Sequence, residues 1–355
     1  MNKILKNWWK IALIIIAAGI ALLILGFSFG ARGGYAYFGE GRLRFASAGT
    51  YYTIEEVNLA PFDAVEVRTR SANIEIIESD HYGVEMQLPE YASVPEWGIA
   101  GGKLTIDTSQ SDNVITFMDF GIFQSYYVKV YYPAGNASGN VEHYPNTLES
   151  VDLTARSGNI KVQGISADRI GINTSSGIIR VDTPYYKSVE AHTSAGNITF
   201  SGTGDKASLK LSTSSGVVKA DASGCSVVDI DAKSGNITVT GQTNADAEIR
   251  TKTNAGIINM NIAAWASLSA EASSGNIEIA GDPHGTTSAN ASSGNITMKL
   301  GGNESDYSYD VSTGSGTIRI GGNRVGSPAR NINNAAGNTI YIRTSSGNAR
   351  VDFNR

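Results

Sequence analysis

Ten copies of one short phrase recur through this chain, each with a glycine at the same place: Gly158, Gly177, Gly196, Gly216, Gly235, Gly256, Gly275, Gly294, Gly316 and Gly347. The first nine are 19 to 22 residues apart, and the last follows after 31. Self-similarity at a period of this length marks a stacked repeat, in which each unit leans on its neighbours to bury its apolar face. It also limits the search for function, because a column that recurs for structural reasons cannot double as an active site.

In the first copy, residues 151–162, apolar and polar residues alternate on both sides of Ser157-Gly158-Asn159, the period of half-buried strands. Two residues past the glycine stand Ile or Val from Ile160 to Ile318, and Ala349 in the last copy. Three residues before it the side chain is always Ala or Thr, as in Ala155, Thr174 and Thr193, which predicts an interior that narrows toward a bend. The bend itself reads Ser or Ala, then Gly, then often Asn: Gly158-Asn159, Gly196-Asn197, Gly235-Asn236, Gly275-Asn276 and Gly294-Asn295. Glycine supplies positive φ without a Cβ clash, and Asn tolerates the left-handed region while bonding locally. Stacked Ser and Asn are expected to form ladders between coils about 4.8 Å apart.

Such a repeat fits two short strands and two turns. The predicted fold is all-β, a parallel β-solenoid (β-helix) of about 20-residue coils with right-handed coiling. About fifteen coils would make a rod about 70 Å long. An antiparallel meander or sandwich alternates as well, but uniform columns favour a single in-register translation.

The ends suggest a location. Residues 1–10 carry Lys3, Lys6 and Lys10 with no acid, and Trp8 and Trp9 stand where an interfacial aromatic belt is expected. Residues 11–31 are uncharged and mostly apolar, long enough to cross a bilayer as one helix. The lysines keep residues 1–10 in the cytoplasm and place the rest outside a cell membrane crossed once. A cleavable signal peptide is the alternative, with small residues at Ser28 and Gly30, although the apolar stretch exceeds the usual core. Residues 32–54 read as a stalk, 55–150 as irregular N-terminal coils and 151–355 as the regular repeats. The single cysteine, Cys225, permits no internal disulfide and is not placed for lipid attachment. The formal charge of −5 becomes −8 once the three N-terminal lysines are set aside, which argues against nucleic acid as a partner.

Within 55–150, the run Phe62, Val65, Val67 leads into Thr69-Arg70-Ser71-Ala72-Asn73-Ile74-Glu75-Ile76, a degenerate copy of the later bend. Residues 101–107 and 126–133 read as further strands, and 117–123 as an inserted loop that caps the stack or touches a membrane or partner. Together with the Ser-Gly-Asn-Ile copies, Ser71-Ala72-Asn73-Ile74, Gly102-Lys103-Leu104-Thr105-Ile106 and Val128-Lys129-Val130-Tyr131-Tyr132-Pro133 resemble the bacterial putative-adhesin domain of unknown function over residues 55–353. Those are β-strand-repeat envelope proteins, including a membrane-anchored member encoded with an envelope-stress sensing system. The resemblance implies a β-solenoid on the outer face of a bacterial membrane and carries over no catalytic residue.

Motifs with chemistry are few. His81, His143, His192 and His284 are scattered without metal-ligand spacing, and His192 falls in an outward column with Thr154, Asn173 and Ser212. Residues 26–30 match G-x-S-x-G inside the apolar span rather than at a strand-to-helix elbow. Residues 202–206 lack phosphate-loop spacing, and the calcium-binding nonapeptide is absent. No cofactor or metal is expected.

Two surface columns remain. Three residues past the glycine, Lys161, Arg180, Lys219, Arg319 and Arg350 form a candidate ligand-facing basic column, with Glu278 the one acid. It could follow an anionic envelope polymer, or it could be a solvated strand surface. A second column carries Asp152, Glu190, Asp229 and Asp310 beside Lys210 and Arg250; a glycosidase pair would need its carboxylates about 5–10 Å apart in a cleft. The tyrosine pairs 126–127, 131–132 and 185–186 suit sugar stacking or simple strand propensity. The reading is a membrane-anchored, non-catalytic adhesin-like binding or scaffolding protein of the envelope, with an envelope polymer or envelope protein as partner. A polysaccharide-acting β-helix enzyme and a passive spacer are the alternatives.

Overall fold

The computed structural model describes residues 34–39, 42–47, 51–89, 94–109, 126–133, 146–332 and 336–354, with helical positions 13, 15, 16, 18 and 19. No helix among the described residues is long and apolar enough to cross a membrane, and most of 11–31 lies outside them. The predicted loop at 117–123 and His143 also lie outside the described residues. Where the sequence reads as a stalk, Gly34–Gly39 pairs antiparallel with Arg42–Ser47. The described residues of Thr53–Leu88, Val94–Gln110 and Tyr126–Arg355 form one compact unit, a stack of β-strands.

In this stack each glycine phrase is a strand, a corner and a strand. Both strands pair in parallel with their counterparts in the next coil. Past the corner the register runs Ile160↔Ile179↔Ile198↔Val218↔Ile237↔Ile258↔Ile277↔Ile296. All eight are buried and form one wall of the core. The sequence alternation thus encodes one repeated translation, and antiparallel pairing in the stack is confined to its two ends.

At both ends the order in space departs from the order in sequence. The strand Ile277–Ser293 pairs with Asn338–Ser346, which in turn pairs with Tyr307–Ser315. Likewise Ile296–Gly301 pairs with Ala349–Asn354, and that strand with Ile318–Ile320. The Gly347 coil, last in the chain, therefore lies between the Gly294 and Gly316 coils. At the other end the coil of Ala64–Thr69 and Asn73–Ser79 lies between that of Lys103–Asp107 and Tyr127–Pro133 and the Gly158 coil.

Each outer coil is covered by antiparallel strands. Glu96–Ala100 and Gly83–Pro89 cover one end, Asn323–Val325 and Ala329–Asn331 the other. A bare parallel edge would be a template for foreign strands, and these caps blunt it. Because cap strands and connections use residues without adding a layer, the described residues form twelve coils (ten with a corner glycine and two before them) rather than about fifteen. Eleven spacings of about 4.8 Å give about 53 Å, not 70 Å.

The corner glycines answer first to a close contact. A Cβ on Gly177 would lie 2.0 Å from the Gly158 carbonyl oxygen, and one on Gly235 would lie 1.7 Å from that of Gly216. The same conflict continues to Gly347 against Gly294 and Gly316 against Gly347, both at 2.0 Å.

The expectation for Asn is corrected. Among the described non-glycine residues only Asn58 and Lys206 have positive φ, so no corner Asn is left-handed. Its amide oxygen instead accepts from the next coil's backbone: Asn159 from Ile178 N–H, Asn197 from Val217 N–H and Asn236 from Ile257 N–H, at 2.8–2.9 Å. Asn276 accepts from Asn295 N–H and Asn295 from Asn348 N–H, both at 2.9 Å.

The threonines three residues before the glycine do more than save space. Thr174, Thr193, Thr213, Thr253, Thr344 and Thr313 each donate to the neighbouring coil's glycine carbonyl at 2.8–3.4 Å.

Candidate functional site

The strand after each corner sends alternate side chains outward, so pairing in register turns the third position past the glycine into one continuous row. From the first coil it runs Lys129, Glu75, Lys161, Arg180, Thr199, Lys219, Thr238, Asn259, Glu278, Thr297, Arg350, Arg319. The five predicted basic residues do share this row. Their distribution is uneven: Lys161 and Arg180 are neighbours, Lys219 stands two coils on, and Arg350 and Arg319 are neighbours at the far end. Arg180, Lys219, Arg319 and Arg350 are exposed. Arg350 donates from Nε to Asp352 at 2.7 Å, whereas the other four make no ion pair among the described residues.

The acidic column has the opposite character at three of its four carboxylates; Asp229, between Lys210 and Arg250 in register, makes no ion pair among the described residues. Arg169 bridges Asp152 at 2.6 Å, Lys210 bridges Glu190 at 2.8 Å and Arg330 bridges Asp310 at 3.3 Å. Asp152 and Glu190 flank Gly171 at the floor of a shallow groove, yet each carboxylate already has a cation. In this column Glu66, opposite Asp152, is held below the usual carboxylate range, chiefly by the hydrogen bond from Lys103. A general acid needs the reverse shift.

Of the tyrosine pairs, Tyr127, Tyr131, Tyr132 and Tyr186 make contacts within the stack. Glu85 accepts from Tyr127 Oη at 2.5 Å, Tyr131 Oη at 2.6 Å and Lys129 Nζ at 3.2 Å, and Lys129 sits 4.3 Å from the Tyr127 ring centroid. Burial alone would raise the Glu85 pKa, but these hydrogen bonds outweigh it and hold the carboxyl low. Tyr132 is buried against Phe62 and Tyr82, and burial pushes its hydroxyl up to about 12. Tyr186 packs edge-on against Phe200 with its hydroxyl 2.9 Å from Cys225 Sγ.

One constellation escaped the sequence reading. Ser79, Asp80 and His81 are consecutive, and Ser79 Oγ and Asp80 Oδ1 lie 3.1 and 2.7 Å from the same His81 Nδ1. A catalytic triad places nucleophile and acid on opposite ring nitrogens, so this cluster is a local turn. His192 Nδ1 pairs with Ser212 Oγ at 2.8 Å, as part of its outward column. Among the described residues no group of three His, Cys, Asp or Glu could hold a metal ion.

The profile of the Toastrack DUF4097 family matches residues 62–262 and again 183–352. No curated protein matches the chain. Among solved structures it is similar to a putative adhesin from Bacteroides fragilis NCTC 9343, at 13% identity over 85% of this chain and 97% of the other, with a TM-score of 0.35. It is also similar to a putative lipid binding protein from Parabacteroides distasonis ATCC 8503, at 14% identity, the same coverage and a TM-score of 0.35. A putative cell adhesion protein from Clostridium sporogenes ATCC 15579 is similar at 11% identity over 85% of this chain and 100% of the other, with a TM-score of 0.20.

Proposed function

Because the chain belongs to the Toastrack DUF4097 family, we propose that it is a non-catalytic binding protein of the bacterial cell envelope whose stack presents the basic row to an anionic envelope component. The observation that carries this reading is the contrast between the two outward columns. Three carboxylates of the acidic one are neutralised in place by Arg169, Lys210 and Arg330. Among the described residues, half-buried Lys161 and exposed Arg180, Lys219 and Arg319 have no such partner, and an unpaired accessible cation keeps its attraction for a mobile anion. Single-pass anchoring through residues 11–31, with residues 1–10 cytoplasmic, belongs to the same proposal, supported by the three lysines and the uncharged run that follows. A role beside an envelope-stress sensor is the regulatory form of this reading and rests on the family resemblance.

The experiment is crosslinking of tagged full-length protein in intact cells, compared with a Lys161→Ala, Arg180→Ala, Lys219→Ala variant. Capture of one envelope polymer or protein, lost in the variant, supports the binding reading. Equal capture by both forms removes the basic row from it. Anchoring is checked separately: the chain should sediment with membranes, and external protease should reach the stack but not residues 1–10.

A further inference from the structure

Arg319 and Arg350 stand 31 residues apart in sequence, but insertion of the last coil makes them direct partners on adjacent strands. The cap adds a third arginine. Asn323–Val325 runs antiparallel to Ile318–Ile320, with Arg324 directly opposite Arg319. Arg350, Arg319 and Arg324 therefore occupy three consecutive strands at one register, about 4.8 Å apart along the stack.

Residues directly opposite one another project to the same face, and like charges so placed destabilise a sheet. All three arginines are exposed. Asp352 offsets one charge, held by Arg350 Nε at 2.7 Å with Lys299 opposite it in the next strand. Arg319 and Arg324 make no ion pair among the described residues. Beside them is a shallow groove lined by Asn276, Glu278, Thr297, Thr317, Arg319 and Arg350. Glu278, its one carboxylate, lies two strands from Arg350 along the row.

We propose that the Arg350–Arg319–Arg324 row is a binding site for a phosphate-bearing polymer chain, each guanidinium engaging a phosphate group. This deepens the binding reading above and rests on it, and assigns the phosphate-specific contact to the far end of the same row. The guanidinium fork matches phosphate oxygens in bidentate geometry, and several forks in line suit a ligand with phosphates in series. A polyanion also relieves the repulsion among the three side chains, so the juxtaposition that costs stability in the free protein favours the bound one.

Calorimetric titration of the full-length chain with inorganic tripolyphosphate tests the site. Arg319→Ala and Arg324→Ala are each expected to weaken binding about tenfold, the loss of one charge-assisted contact, and binding should weaken as salt rises. A Lys233→Ala variant, which removes an exposed lysine outside the row, should bind within about twofold of the parent. Both arginine variants should melt no lower than the parent, because each removes a like-charge contact; a lower melting temperature would assign these arginines a structural role and overturn the proposal. Tripolyphosphate binding that survives both substitutions but fails in the triple variant overturns this site and leaves the broader reading standing. No tripolyphosphate binding, with crosslinked capture still lost in the triple variant, does the same. Binding to phosphatidylglycerol vesicles but not to tripolyphosphate would make the ligand a lipid surface and overturn the polymer assignment.

Discussion

Replacing Gly235 by alanine tests the close contact at the corner, on top of the strain that its φ of 153° imposes on any side chain. The new Cβ would sit 1.7 Å from the Gly216 carbonyl oxygen, where ordinary contact begins at 3.4 Å. Both atoms are held by backbone, so no side chain can swing away; the two coils must part by more than an ångström at that corner. Two backbone bonds cross it, Gly216 N–H to Ser234 C=O at 3.1 Å and Val218 N–H to Asn236 C=O at 2.9 Å. Losing both costs about 1 kcal/mol each, and residual overpacking adds about 1–3 kcal/mol. We expect a loss of about 3–5 kcal/mol. Gly98→Ala is the control, since a Cβ there meets nothing within 4 Å, and it should stay within about 0.5 kcal/mol of the parent. Guanidinium unfolding followed by far-ultraviolet circular dichroism reads the difference as a shift in midpoint at similar slope. If Gly235→Ala unfolds within about 1 kcal/mol of Gly98→Ala, the contact argument for the whole glycine column is wrong.

Further outcomes follow from the same geometry. Thr213→Val removes the hydroxyl that donates to Gly196 C=O at 3.0 Å but keeps the volume, and should cost about 1 kcal/mol in the same unfolding assay. Asn236→Ala removes the acceptor of Ile257 N–H; because that corner is exposed, the expected loss is about 0.5–1 kcal/mol. The Glu85 carboxyl is held below its ordinary pKa of about 4.3, so its stabilising contribution is complete above that value and is lost as pH falls through the lower folded pKa. The stability gap between the parent and Glu85→Gln should therefore be widest near neutral pH and close in acid, which unfolding at stepped pH would show. Deleting the cap residues 323–331 bares the outer edge of the Gly316 coil and should produce concentration-dependent self-association on gel filtration.

The inward columns were legible because burial enforces them copy after copy. Ile160 through Ile296 face the same wall, and each must be apolar for the next coil to rest on it. The order of the layers was not legible. A column that is uniform in every copy fits any copy onto any other, and only the 31-residue gap before Gly347 hinted at a rearrangement. Arg324 escaped for a related reason: it lies outside the glycine phrase, on a cap strand whose pairing with Ile318–Ile320 depends on tertiary placement. The corner Asn was placed correctly and explained wrongly, since neighbouring residues in sequence cannot reveal a bond to a backbone N–H some twenty positions away.

The insertion of the final coil also bears on how the chain is made. Synthesis runs from the N-terminus, so the residues of the Gly316 coil and its cap are made before the layer beneath them, residues 338–354. Until that segment arrives, the Gly294 coil and the Gly316 coil each present a bare parallel edge toward the vacant position. An ordinary solenoid can add rungs as they emerge; here residues 338–354 are synthesised after both of the rungs that flank them. A chain stalled or clipped near residue 335 would lack an interior rung rather than a terminal one, and its two exposed edges would be open to the same segment of another copy.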